Sequence, residues 1–200
     1  MLIIIVGRGP LAKPIAGLAK RAGHVVRWSE QAPATPPIDE SFGLAILVGS
    51  RSSVEADLAN VAAERLQGLV VVDAIVPSQE TLDDSSPETV WSTEAESAWI
   101  AKMFPEARIV RAFASVPARA FTDLLNRKAS DAPRLAVPLA GDDHDAKARV
   151  GEFMRDLGVE PYDLGALDSA DVLDPGGPLW GKALSPVELL EAVGRLSGDG

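Results

Sequence analysis

The feature that most constrains this chain is its opening. Leu2–Val6 is an unbroken run of leucine and β-branched residues, and it breaks directly into Gly7-Arg8-Gly9-Pro10-Leu11-Ala12. An apolar run without alternation is the pattern of a strand buried on both faces, as in a parallel sheet. Residues 11–22 then place Leu11, Ile15, Leu18 and Ala19 on one helical face. Pro14 lacks an N–H and is tolerated only in the first turn of that helix. Gly23 stops the helix, and His24 to Trp28 reads as a second strand. Strand, glycine loop, helix and strand within about thirty residues have the pattern of a dinucleotide-binding βαβ unit, the alternative being a tight βα turn that holds no ligand.

The rest of the chain repeats the alternation. Strands are expected at 44–48, 69–74, 108–113, 135–140 and 160–164, and helices at 53–65, 95–103, 121–125, 145–157 and 186–196. Pro138 marks its strand as an edge or a bulge. The proline-rich stretch 31–41 reads as a loop, and 76–87 as a turn-rich acidic excursion. The expected fold class is α/β, a Rossmann-type, doubly wound and mostly parallel sheet with helices on both faces. No linker divides the chain. A single NAD(P)-binding domain over 1–200 is expected, with a small C-terminal extension from about residue 165.

Composition narrows the function. The formal charge of −10 repels a nucleic-acid backbone, so no nucleic-acid partner is expected. A phosphorylated cofactor must then be held by local donors. The absence of cysteine excludes thiolate and disulfide chemistry and agrees with a cytoplasmic location. The opening run is too short for a signal peptide or a membrane span, so no membrane partner is expected.

Each position of the opening loop has a physical role in the dinucleotide reading. Gly7 allows the tight turn, Gly9 lets a pyrophosphate approach the backbone, and Ala12 permits close helix–strand packing. The helix N-terminus offers free N–H groups and the positive end of its dipole. Pro10 removes one donor. Arg8 either forks onto phosphate oxygens or stands as a solvated loop charge. Glu30, at the end of the second strand, is placed to bond a ribose 2′-hydroxyl and to repel a 2′-phosphate, which favours NAD. Arg8, Arg27 and Arg51 argue for NADP, and Ser29 suits either.

Other constellations carry less. Asp142-Asp143-His144-Asp145 reads as helix capping, not a metal site, and two histidines without cysteine make zinc improbable. No G-x-S-x-G elbow is present, and the only tyrosine, Tyr162, has Ala166 where a catalytic lysine would stand four residues on. No catalytic side chain and no metal ligand is assigned. Trp28 either faces adenine or packs in the core. Trp180 lies within Pro175-Gly-Gly-Pro-Leu-Trp-Gly181.

The segments IIIVGRGPLA, RAGHVV, VVVDAIVP, SAWIAK, FPEARIVRAFASVPA and LAGDDHDAKARVGEFMRDLGVEPYDLGALDSADVLDP occur in an order and spacing that cover nearly the whole chain. Together they resemble the coenzyme F420-dependent NADP oxidoreductases and their bacterial dinucleotide-binding relatives. The resemblance implies a Rossmann domain with a small C-terminal portion, working as a homodimer. It implies an NAD(P)-binding oxidoreductase that passes hydride between nicotinamide and F420, a flavin-like ring or a small acceptor. It also implies dinucleotide contacts at Gly7, Arg8, Gly9, Pro10 and Leu11, ribose contacts at Ser29 and Glu30, and further contacts at Val48, Gly49, Ser50 and Arg51. The nicotinamide neighbourhood would hold Ile75, Pro77, Ala112 and Ala114.

The chain departs from the family in places. Ser29-Glu30-Gln31 stand where NADP readers usually carry serine and a basic residue. Residues 31–43 are too few for the usual helix and strand. Val76 and Ala114 replace two asparagines. These departures support an alternative, a dinucleotide-binding module without turnover that serves as a sensor or subunit.

Overall fold

A computed structural model describes residues 1–29, 42–58, 68–76, 96–127 and 134–198. The expected loop at 31–41, the expected helix beyond residue 58 and the acidic excursion beyond Val76 lie outside the described residues. The elements are β1 (Leu2–Val6), α1 (Ala12–Arg21), β2 (Val25–Trp28), β3 (Phe42–Gly49), α2 (Arg51–Leu58), β4 (Val70–Ile75), α3 (Glu96–Met103), β5 (Arg108–Ala112), α4 (Ala118–Asn126), β6 (Ala136–Gly141), α5 (His144–Asp156), β7 (Glu160–Asp163), a 3₁₀ segment (Leu167–Leu173) and α6 (Pro186–Gly198).

One seven-stranded sheet runs β2-β1-β3-β4-β5-β6-β7. All neighbours are parallel except β5 and β6. The sheet is covered on both faces, and β1 shows why its sequence does not alternate. Ile3 and Ile5 pack with α1, Phe121 of α4 and Phe153 of α5. Ile4 and Val6 point the other way, toward Val54 and Leu58 of α2, Ile100 of α3 and Phe104 just after it. Both sets are buried, and each such side chain contributes about 1.5–3 kcal/mol. A third apolar cluster joins Ala136 to Leu173, Leu179 and Leu189, which fastens the segment after β7 and α6 to the sheet.

Some expectations shift. The short helix expected at 121–125 begins at Ala118, directly after Pro117 with its φ of −57°. Pro138 lies neither at an edge nor in a bulge, because β6 pairs with β5 on one side and β7 on the other. Its register gives the reason. The ladder with β5 runs from Leu139 to Gly141, and on the same side Ala136 donates to the carbonyl of Leu184. Pro138 falls in the gap between them, where no N–H is needed.

Asp143 caps α5, accepting the Ala146 N–H at 2.7 Å. Asp143→Ala is expected to lower stability by about 1 kcal/mol, and Asp143→Asn by clearly less. Urea midpoints of the two variants check this; equal losses would show that packing, not the cap, is at stake. No helix among the described residues is long and apolar enough to cross a membrane.

Candidate functional site

β2 follows β1 on one side, and β3 pairs with β1 on the other, so the strand order turns back between β1 and β3. Ligands of open α/β sheets bind outside the strand C-termini at such a point. The glycine loop leaves β1 here, and Gly49 ends β3 beside it. Gly7 has φ +95°, and a Cβ on it would stand 2.2 Å from the Val48 carbonyl oxygen. Gly49 has φ +112°, and its Cβ would stand 2.0 Å from the Arg8 carbonyl oxygen. A Cβ on Gly9 would meet the Gly49 Cα at 2.8 Å. The space that Gly9 leaves empty is therefore taken by Gly49, not by an approaching ligand as the loop pattern suggests. Its smallness lets the two loops touch.

The donors of the loop are largely spent. Gly7 N–H donates to Asp57 Oδ2 at 3.1 Å, Arg8 N–H to Ser53 Oγ at 2.9 Å, and Ala12 N–H to the Gly9 carbonyl at 3.1 Å. Gly9 and Leu11 keep amide N–H groups with no acceptor among the described residues. α1 has no side-chain cap and no acidic residue in its first turn, unlike α5. An uncapped helix N-terminus behind free amides is suited to an anion.

Two cavities meet at Arg8 and Gly9. One, of about 520 Å³, is lined by Arg8, Gly9, Pro10, Leu11, Gly49, Ser50, Val76, residues 114–118, Trp180 and Gly181. The other, of about 340 Å³, is lined by Gly7, Arg8, Gly9, Ala12, Lys13, Trp28, Ser29 and Asp57. Of the residues expected from the sequence, Gly7, Arg8, Gly9, Pro10, Leu11, Ser29, Gly49, Ser50 and Ala114 thus border a cavity. Val48, Ile75 and Ala112 are buried in the strands and line neither. Arg51 lines neither, and its guanidinium lies over the Trp99 ring, 5.1 Å from the centroid. Glu30 and Pro77 lie outside the described residues.

Several wall residues carry no sequence signal. Phe113 has φ +68°, rare for an aromatic residue, and is held there by edge-on contacts with Phe121 and Phe153. This bend turns Ala114 and Ser115 toward the larger cavity. Ser115 Oγ is buried and has no hydrogen-bond partner among the described residues. Its carbonyl accepts the Gly181 N–H at 2.8 Å, which brings Trp180 to the same wall.

A buried ionic cluster anchors that wall. Arg111, next to the C-terminal end of β5 and 1% exposed, pairs with Asp73 of β4 at 2.9 Å and with Asp174 at 2.5 Å, and donates to the Ile75 carbonyl. Ser97 donates to the second oxygen of Asp73 at 2.7 Å. Burial pushes the Arg111 pKa down, but the two carboxylates more than reverse this and hold it charged. Burial raises the Asp174 carboxyl above its ordinary value against the pull of Arg111, and Asp73 adds to the rise.

No family model matches the chain. The chain is similar over 98% of its length to a solved structure of a proposed F420-dependent NADP-reductase from Arthrobacter sp. FB24, with 23% identity, 93% of that chain covered and a TM-score of 0.65. A hypothetical protein of Sinorhizobium meliloti superposes over 92% of this chain and 95% of its own, with 20% identity and a TM-score of 0.67. The chain has the Rossmann-type fold of these proteins. The resemblance to the F420-dependent NADP reductase group therefore holds at the level of the fold. A reductive aminase of Aspergillus terreus, solved with NADPH and ethyl levulinate, covers 98% of this chain and 60% of its own at 16% identity and a TM-score of 0.52. In sequence, the chain is 27% identical over 168 residues to the metalloreductase STEAP3 of Rattus norvegicus, which takes in 84% of this chain. The chain spans about 30% of the length of that curated relative.

Proposed function

We propose that this chain binds NAD(H) or NADP(H) and is an oxidoreductase that passes hydride between the nicotinamide and a deazaflavin, flavin-like or small acceptor. The observation that carries the reading is the pair of cavities joined at Arg8 and Gly9. A dinucleotide has the matching form, two nucleosides joined by a pyrophosphate, and each cavity falls within the usual range of about 300–1,000 Å³ for ligand pockets. The free N–H groups of Gly9 and Leu11, the start of α1 and the Arg8 guanidinium would hold the pyrophosphate. The smaller cavity, at the end of β2, would take the adenosine. The larger would take the nicotinamide ribose and ring.

When bound, the cofactor supplies the hydride chemistry itself. The walls of the larger cavity supply position. Val76, Ala114, Val116 and Trp180 are apolar surfaces against which planar rings pack, and among the described residues that line the cavity Arg8 alone is charged. Such a wall orients two rings and limits water between them, and the proton that the acceptor takes up with the hydride would come from solvent. Val76 and Ala114, apolar where the resembled family has asparagines, also favour a second reading, a dinucleotide-binding module without turnover.

Separate titrations with NADH and NADPH, followed by tryptophan quenching, test the binding. Saturable binding of at least one at micromolar concentration is expected. No binding of either at millimolar concentration would overturn the reading. An acceptor screen following loss of nicotinamide absorbance then separates enzyme from binding module.

A further inference from the structure

We propose that Asp57 reads the adenosine ribose and selects NAD(H) over NADP(H), a proposal that rests on the dinucleotide reading above. Asp57 is the carboxylate on the wall of the smaller cavity. It comes from the last turn of α2, not from the end of β2. The residue is 8% exposed. Oδ2 accepts both the Gly7 N–H and the Ser29 hydroxyl, each at 3.1 Å. Oδ1 is left with the Arg8 guanidinium at 3.9 Å, beyond hydrogen-bond distance, and keeps its acceptor capacity.

This arrangement sorts the two nucleotides by charge. A 2′-hydroxyl is a donor and suits a free carboxylate oxygen. A 2′-phosphate would meet a fixed negative charge in a partly buried site, where repulsion is weakly screened. Ser29, at the end of β2, would be the natural donor to such a phosphate. Its single hydroxyl proton is already given to Asp57. Arg8 borders both cavities, so in the dinucleotide reading its charge is shared between the pyrophosphate and Asp57. Lys13 stands on the first turn of α1, by the same loop.

The test is fluorescence titration of the full chain, Asp57→Asn and Glu30→Gln with NADH and NADPH, with thermal unfolding as a check on the fold. The wild-type chain is expected to bind NADH at least about tenfold more tightly than NADPH, the scale of one hydrogen bond to a charged group. Asp57→Asn should shrink that ratio by about tenfold, and by clearly more than Glu30→Gln does. Tighter NADPH binding by the wild-type chain overturns the assignment without any variant. So does a ratio that survives Asp57→Asn, or one that moves with Glu30→Gln instead. If the wild-type chain binds neither nucleotide, the dinucleotide reading fails and this assignment fails with it. Binding with an unmoved ratio sinks the assignment alone.

Discussion

Gly49→Ala is expected to destabilise the protein by about 3 kcal/mol or more and to abolish saturable dinucleotide binding. Two costs combine. The φ of +112° is one that side chains rarely adopt, worth about 1–3 kcal/mol. The added Cβ would also stand 2.0 Å from the Arg8 carbonyl oxygen and 2.7 Å from its carbon. Both are backbone atoms, so neither can rotate away. The glycine loop and the β3 loop must part, and the junction of the two cavities parts with them. Gly23→Ala is the control. Gly23 has φ +87° with nothing within 4 Å of its Cβ position, so only the conformational cost applies, about 1 kcal/mol. Urea midpoints decide: equal losses in the two variants would mean that the contact between the loops is not what Gly49 protects.

Arg111→Met is expected to cost about 3–5 kcal/mol at neutral pH, because it strands the carboxylates of Asp73 and Asp174 without their cation. The loss should shrink as pH falls. A buried carboxyl whose folded pKa lies above its unfolded value makes the folded state bind more protons, so stability falls as pH rises through that window. Asp174 already has this sign in the native protein, raised by burial. Removing Arg111 takes away the opposing pull and widens the window. Unfolding in urea at about pH 7 and about pH 5 should therefore show the variant recovering toward the native value in the more acidic buffer. A deficit independent of pH would mean that lost packing, not charge, is the cause. Trp180 emission should also shift to the red in the variant. Asp174 lies six residues before Trp180 (180 − 174), and this tether helps hold the wall of the larger cavity.

Much of this is legible in short windows of sequence. The uninterrupted run at 2–6 announces a strand with two buried faces, and Ile3 and Ile4 do face opposite helix layers. The apolar spacing of 11–19 announces α1, and Asp143 announces the start of α5. These signals are local, since each depends on a repeat of two or of about 3.6 residues. The glycines at 7 and 9 mark a loop in the same way, but not what fills the space beside them.

What touches what across the sheet is a different kind of information. Arg111 reads as one more residue of RIVRAF. Its partners stand 38 residues before it and 63 after it (111 − 73; 174 − 111), and only the parallel register of β4 and β5 brings the first of them alongside. Pro138 reads as an edge signal until the ladder shows a gap where its missing N–H costs nothing. Asp57 lies 50 residues from Gly7 and 28 from Ser29, and no spacing rule connects them. Sequence by itself determined the fold class, the glycine loop and the helix faces, because these arise from interactions within one or two turns of chain. The tertiary structure alone decided which loops touch, which charge is buried and which carboxylate faces the cavity at the end of β2. Those contacts depend on strand order and register, and segments distant in the chain fix them together.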